Sequence, residues 1–328
     1  MNASLAPPAS LAPPDARASL RSRGALWATL GGIMLALGFS AYYLHHTFVM
    51  NEADPRLLAE FQGNRPYQLR ILMPFLAHWG ARLTPFDVVR CYQILLMGFS
   101  VALFAVFGAY LRQWSASRAT AWFSLSIALP LFAFYSHKWF YPYDVPAVFF
   151  ATLGLLLMAQ RRFALYLAVF TFATLNRETS AFLTLAFVLT LWDALPRRRF
   201  ALLVASQMGI WFAVRGIMSW IFASNAGKLL ELHLATNWNA LTQLFTAPPS
   251  LALGSAIIAL TGMWAIGAAT RRYQPPFLRR ASGVFWPFMA LMSVVGVLSE
   301  TRLYSELIPI LLAPALIGVL NLTRARTS

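Results

Sequence analysis

The sequence predicts an all-α fold, a polytopic membrane helical bundle of about ten transmembrane helices with interfacial helices on its outer face. Three observations predict it. Hydrophobic residues make up 59% and charged residues 11% of the 328 residues, at a mean hydropathy of +0.61, whereas a soluble domain carries about 25% charged residues. Apolar runs long enough to cross a hydrocarbon core of about 30 Å recur along the whole length, leaving no segment for a second domain. Most of the 26 Lys and Arg stand in short clusters between those runs, so the net charge of +15 orients the chain in a membrane and does not mark a nucleic-acid surface.

Residues 1–24 are rich in Ala, Pro and Ser and are expected to form a disordered cytoplasmic tail. The apolar stretch that follows is too long for a signal-peptide core and lacks a small-x-small cleavage site, so it reads as a retained first span. With the arginine clusters at 17–23, 112–118, 161–162, 197–199, 271–280 and 324–326 placed inside, the spans fall at 25–48, 88–111, 119–135, 145–160, 163–175, 181–195, 200–222, 251–270, 283–299 and 303–321. Residues 25–322 then form a single transmembrane domain and 323–328 a cytoplasmic tail. Ten crossings put both termini in the cytoplasm. The stretch from Phe163 to Leu195 would, as one helix, export the arginines downstream of it, so it is read as a hairpin turning at Asn176–Ser180. Its first arm, at 1.5 Å per residue, reaches about 21 Å and leaves the turn below the outer surface. Segments 69–83 and 229–245 mix apolar residues with Arg70, His78, Arg82, Glu231 and His233, and read as helices in the outer interface. Cys91, the single cysteine, is an inert packing residue.

This topology sends every acidic residue except Asp15 and Asp193 to the outer side. A charge inside a span costs about 2.5–3.5 kcal/mol even on the lenient insertion scale, so these residues face protein or a wet cavity. Glu52 and Asp54, just beyond the first span, are candidate general bases, with a solvated loop as the plain alternative. Asp144 closes an aromatic segment, Ser136 to Tyr143, that contains His137 and Lys138; such a segment suits either an interfacial belt or a sugar-binding surface. Arg177-Glu178 and Glu300-Thr301-Arg302 form either structural ion pairs or a site for an anionic head group. Arg215, about 24 Å up its span from Arg199, stands at the same depth. Glu52-Ala53-Asp54 could instead hold a divalent ion, Mg or Mn, although nothing else in the sequence resembles a metal cage.

In organisation the chain resembles the GT-C superfamily of integral-membrane glycosyltransferases. The resemblance rests on the acidic motif of Glu52 and Asp54 in the first outer loop, interfacial helices outside, Asp144 in the second outer loop, and arginines for a lipid phosphate. It covers most of the membrane core. It implies transfer of a sugar from a polyprenyl-phosphate donor to an extracytoplasmic lipid, glycan or protein acceptor. Asp54, or failing that Glu52, would be the base; Arg177, Arg302 and Arg70 would stabilise the departing phosphate; Asp144 and Glu178 would orient acceptor and arginines; and His137, Lys138, Arg215 and Glu300 would complete the substrate-binding set. The segments 65–74 and 176–179 are similar to segments of bacterial membrane proteins of this type, implying the inner membrane with an outward-facing site. Many GT-C enzymes also carry a soluble C-terminal domain, and the departure here, with the sequence stopping at Ser328, leaves room for a partner subunit. Two alternatives stand beside it: a transporter or flippase of a lipid-linked or anionic solute, which predicts paired halves with breaks at mid-membrane, and a non-catalytic assembly subunit.

Overall fold

A computed structural model describes residues 14–115, 117–136, 139–246 and 248–327. The long first helix α1 (Pro14–His46) leads to a two-residue strand β1 (Phe48–Val49) and a short helix α2 (Pro55–Ala59), followed by α3 (Leu72–Leu83) and α4 (Val88–Arg112). A broken helix comes next, α5 (Arg118–Phe123) and α6 (Ala128–Phe134) joined by a 3-10 turn, and then strand β2 (Trp139–Phe140). Helices α7 (Asp144–Ala159), α8 (Phe163–Asn176), α9 (Ala181–Leu191) and α10 (Arg197–Ile221) follow, then α11 (Leu234–Thr246) and α12 (Leu251–Ala269). The chain closes with α13 (Pro276–Ala281), α14 (Phe285–Val295) and α15 (Ile308–Thr327), which continues a 3-10 segment over Thr301–Leu307. Among the described residues the only sheet is the parallel pairing of β1 with β2, Phe48 opposite Trp139 and Val49 opposite Phe140. The fold is therefore all-α.

A helix lies at every stretch read as a span or as an interfacial segment. Five among the described residues are long and apolar enough to cross a membrane: Leu26–His46, Val88–Arg112, Arg197–Ile221, Leu251–Ala269 and Thr301–Thr327. The remaining apolar helices are shorter, as in Ala119–Phe134, Asp144–Ala159, Phe163–Asn176 and Glu178–Leu191. Two tail boundaries move. Helix α1 already begins at Pro14, inside the expected tail, and α15 runs on to Thr327, because Arg324 and Arg326 are good helix formers whose charge suits a helix C-terminus.

The hairpin follows from the break at Arg177, whose extended backbone (φ −161°, ψ 141°) ends α8. The chain returns so that the rings of Phe163 and Tyr166 at the start of α8 each lie 5.8 Å from the ring of Phe187 on α9. The Arg199 guanidinium then sits 5.2 Å from the Phe163 ring. Asp193 pairs with Arg280, Arg324 Nη2 donates to Ser115 Oγ at 3.0 Å, and Trp114 stacks on Phe277. The arginine-bearing loops are thus gathered at one end of the bundle.

Helix α15 is the central element, with 89% of its apolar window buried against 11% for α10 and for α12. Between apolar helices in lipid no hydrophobic force acts, so close packing and interhelical hydrogen bonds hold them. Ser40 donates to Ser100 at 2.9 Å to join α1 and α4, and Tyr166 donates to Gln207 at 2.7 Å to join α8 and α10; such bonds contribute about 0.6 kcal/mol each in a membrane. α12 meets α15 at Gly318, where a β-carbon would stand 2.2 Å from Thr270 Oγ1. A smaller core of Ala53, Leu58, Met73, Cys91, Tyr92, Tyr141 and Tyr143 packs beneath the opposite, acid-rich end.

Candidate functional site

Two separate breaks in helical structure bring charged residues together at the acid-rich end. The first is the α8–α9 turn, which carries Arg177, Glu178 and Thr179; the second is the 3-10 segment before α15, which carries Arg302 and Glu306. Between them Asp144 opens α7, fully buried. Its Oδ1 accepts from Arg177 Nη1 at 3.2 Å and from Arg302 Nη1 at 3.1 Å, and its Oδ2 from Arg302 Nη1 at 3.1 Å. Arg302 reaches on to Glu300 at 2.5 Å, and Arg177 to Glu306 at 3.3 Å, where Thr179 also donates at 2.7 Å. The result is an alternating chain, Glu300–Arg302–Asp144–Arg177–Glu306. Alternation keeps each buried charge beside an opposite one, the condition for burying it at all.

A second unit lies beside the first. Arg70 holds Glu178 with a two-pronged contact at 2.6 and 3.1 Å, and Arg215 Nη1 stands 3.7 Å from Oε2, the oxygen that accepts from Arg70 Nε. Arg215 Nη1 also donates to the Leu69 carbonyl at 3.2 Å, and Trp211 Nε1 to the Glu178 carbonyl at 3.0 Å. This unit has two cations to one anion and the adjoining chain has three anions to two cations, so the charges of the two units balance; the Glu178 side chain is 32% exposed, which leaves the Arg70–Glu178–Arg215 unit within reach of solvent. Burial opposes the charge on Arg70, but the Glu178 carboxylate outweighs it and raises the guanidinium well above its ordinary pKa.

Tyrosines tie the two units together. The Arg302 guanidinium lies 3.6 Å from the centre of the Tyr141 ring and Arg70 lies 4.5 Å from that of Tyr143. Tyr67 stacks on Tyr141 at 5.8 Å and carries Arg70 at 5.9 Å on its ring. Burial and then the Glu231 carboxylate push the Tyr67 hydroxyl above its usual pKa, with Glu300 and Glu52 acting in the same direction. Tyr67 therefore stands against Arg70 and within the electrostatic field of these carboxylates.

Of those acids, Glu52 and Glu231 belong to a cleft of about 630 Å³ lined also by Asn64, Arg65, Lys228 and His233. Its wall is stitched in place: Arg65 N donates to Ala226 O at 2.7 Å, Arg65 Nη2 to Gly227 O at 3.1 Å, and Asn225 Nδ2 to Gly63 O at 2.9 Å. Gly227 has φ +93°, and a β-carbon there would sit 2.2 Å from the Arg65 carbonyl oxygen, so only glycine fits. On the far side Asn237 donates to Ser293 O at 2.9 Å and Gly296 O at 2.7 Å, anchoring α11 to the end of α14.

The structure brings together Asp144, Arg177, Arg302 and Glu300, and beside them Arg70, Glu178 and Arg215. It separates the two neighbours of the acidic motif. Glu52 borders the 630 Å³ cleft, whereas Asp54 lines a different one of about 360 Å³ with Arg56, Tyr92 and Gln93. The expectation that all these side chains border one cavity is therefore corrected. The cause is local: the Asp54 carboxylate caps α2, accepting from Arg56 N at 2.8 Å, which turns it away from Glu52. His137 and Lys138 lie outside the described residues.

Sequence reasoning missed several participants. Glu306 was legible as the residue one helical turn beyond Arg302, whereas Tyr67, Tyr141 and Tyr143 gave no signal beyond aromatic content. Glu231 and His233, 3.5 Å apart, gave none beyond loop polarity. Among the described residues no three His, Cys, Asp or Glu side chains gather where they could hold a metal, so the divalent-cation alternative has no ligand set there.

Fold and site together define an all-α protein with helices suited to a bilayer, with a buried ion network and a separate polar cleft at the acid-rich end. No family model, curated protein or solved structure matches the chain.

Proposed function

We propose that the protein is a membrane glycosyltransferase of GT-C type that moves a sugar from a polyprenyl-phosphate donor to an acceptor hydroxyl. The observation that carries this reading is the Arg70–Glu178–Arg215 unit, two guanidiniums fixed on one part-exposed carboxylate beside a cleft with carboxylates. An arginine pair fixed by a shared carboxylate is suited to a phosphate without needing reorganisation. The acceptor hydroxyl oxygen attacks the anomeric carbon while the bond from that carbon to the phosphate oxygen breaks. The hydroxyl proton passes to a carboxylate, and the lipid phosphate leaves with the electron pair. Of the two acids in the motif we assign the base to Glu52, which borders the larger cleft. Asp144 has both oxygens engaged by arginines and acts as a positioning residue.

The topology belongs to the same proposal. The shorter helices α5–α6, α7, α8, α9 and α14 make the remaining crossings of a ten-span bundle, with α3 and α11 in the outer interface and both termini in the cytoplasm of a bacterium. Gathering of the arginine-bearing loops at one end supports it.

Purified protein in proteoliposomes, given a radiolabelled polyprenyl-phosphate sugar, tests the reading. Glu52→Gln should lower transfer by about a hundredfold or more with donor binding retained. Arg215→Gln should weaken donor binding. Asp54→Asn should leave transfer near normal, since the amide oxygen still caps α2. Absence of donor binding by the unaltered protein would overturn the proposal.

A further inference from the structure

At the arginine-rich end, far from the acidic site, a second cleft of about 250 Å³ opens between α12, α13, α14 and α15. Its lining includes Arg271, Arg279, Gln274, Ser282, Trp264 and Trp286. The volume is well above the roughly 10–15 Å³ that one water needs. Its wall is built: Gln274 Nε2 donates to Gly267 O at 2.6 Å, and Asn321 Nδ2 donates to Tyr273 O at 2.9 Å, so the turn that carries Arg271 is tied to α12 and α15.

Two features indicate what it takes. Among the described residues Arg280 has a carboxylate partner in Asp193, but Arg271 and Arg279, on the same turn and helix, have neither an ion pair nor a side-chain hydrogen bond, and no acidic side chain lines the cleft. The cleft also has an apolar flank. Trp264 and Trp286 meet edge to face at 6.1 Å and are 41% and 63% exposed, on a side where α12 is only 11% buried. Tryptophans in that setting belong at the boundary of headgroups and acyl chains. Two free guanidiniums beside such a flank match a phosphate that carries hydrocarbon.

We infer that this cleft is a binding site for an anionic phospholipid, with Arg271 and Arg279 on the phosphate and Trp264 and Trp286 against the glycerol and acyl chains. The site is independent of the transferase reading and would exist in a transporter or an assembly subunit equally.

The test is retention of phosphatidylglycerol by full-length protein in neutral detergent, read by native mass spectrometry against phosphatidylcholine as the neutral lipid. Phosphatidylglycerol should be held preferentially. Arg271→Gln with Arg279→Gln should weaken that preference by about thirtyfold, whereas Arg271→Lys with Arg279→Lys should keep part of it. Trp264→Ala should weaken both lipids. Monodisperse gel filtration and an unchanged melting temperature establish that each variant is folded. Equal retention of the two lipids, or a glutamine double variant that still prefers phosphatidylglycerol, would overturn the inference. So would displacement by millimolar inorganic phosphate, which would make the cleft a soluble-anion site.

Discussion

Replacing Asp144 with Asn should destabilise the protein more than any other single isosteric change in the bundle. Asp144 is fully buried and accepts three hydrogen bonds from two guanidiniums. Asparagine keeps one oxygen, which can still accept from Arg177 and Arg302, but the second becomes an NH2 facing Arg302 Nη1, donor against donor. Removing one partner of a buried pair costs about 3–5 kcal/mol. Arg302 retains Glu300 and Arg177 retains Glu306, so the lower part of that range applies, about 3 kcal/mol. At about 2 °C per kcal/mol for a chain of this size, melting should fall by about 6 °C. Thermal unfolding in a mild detergent, followed by near-UV circular dichroism or by monodispersity, measures it. A double variant, Asp144→Leu with Arg302→Met, should recover part of what Asp144→Leu alone loses, because a buried pair replaced by apolar groups is often neutral while a broken pair is not. If Asp144→Asn melts within a degree of the unaltered protein, the alternating ion chain does not hold the turns together and the argument for a rigid site fails.

Gly318→Ala should cost about 1–3 kcal/mol through overpacking against Thr270, and Thr270→Gly in the same chain should relieve it; Gly262, with nothing within 4 Å of an added β-carbon, should tolerate Ala, and equal effects at both positions would refute the packing argument. Single cysteines at positions 198 and 279 should label from one side of the membrane and at 52 and 228 from the other, with buried Cys91 nearly silent; labelling of 198 and 228 from the same side would remove the hairpin topology. Asp193, whose carboxyl is held below its ordinary pKa by the hydrogen bond from Arg280, contributes stability that is fully present above the free carboxyl value of about 3.9 and is lost as pH falls through its lower folded value. The deficit of Asp193→Asn should accordingly be seen at neutral pH and close in acid, and a deficit independent of pH would assign it to packing.

The sequence by itself determined where helices lie, though not all of their ends. Hydropathy and helix-breaking residues act over one or two turns, so helices lie where the apolar runs predict them, including the short arm from Phe163 to Asn176. The arginine loops also meet at one end, as the hairpin reading of Phe163 to Leu195 requires, a reading that rests on the placement of the arginine clusters and not on run length. Tertiary structure decided which charges meet. Arg177 and Glu178 are adjacent in sequence, yet the extended backbone at the turn sends Arg177 inward to Asp144 and Glu306 and leaves Glu178 to Arg70 and Arg215. Glu52 and Asp54 are two residues apart, yet a helix cap turns Asp54 into another cleft. Ion pairing depends on distances between side chains separated by up to about half the chain, and those distances are set by how the helices pack. A charge in a low-dielectric interior takes the partner that packing brings to it, and no local pattern encodes that choice.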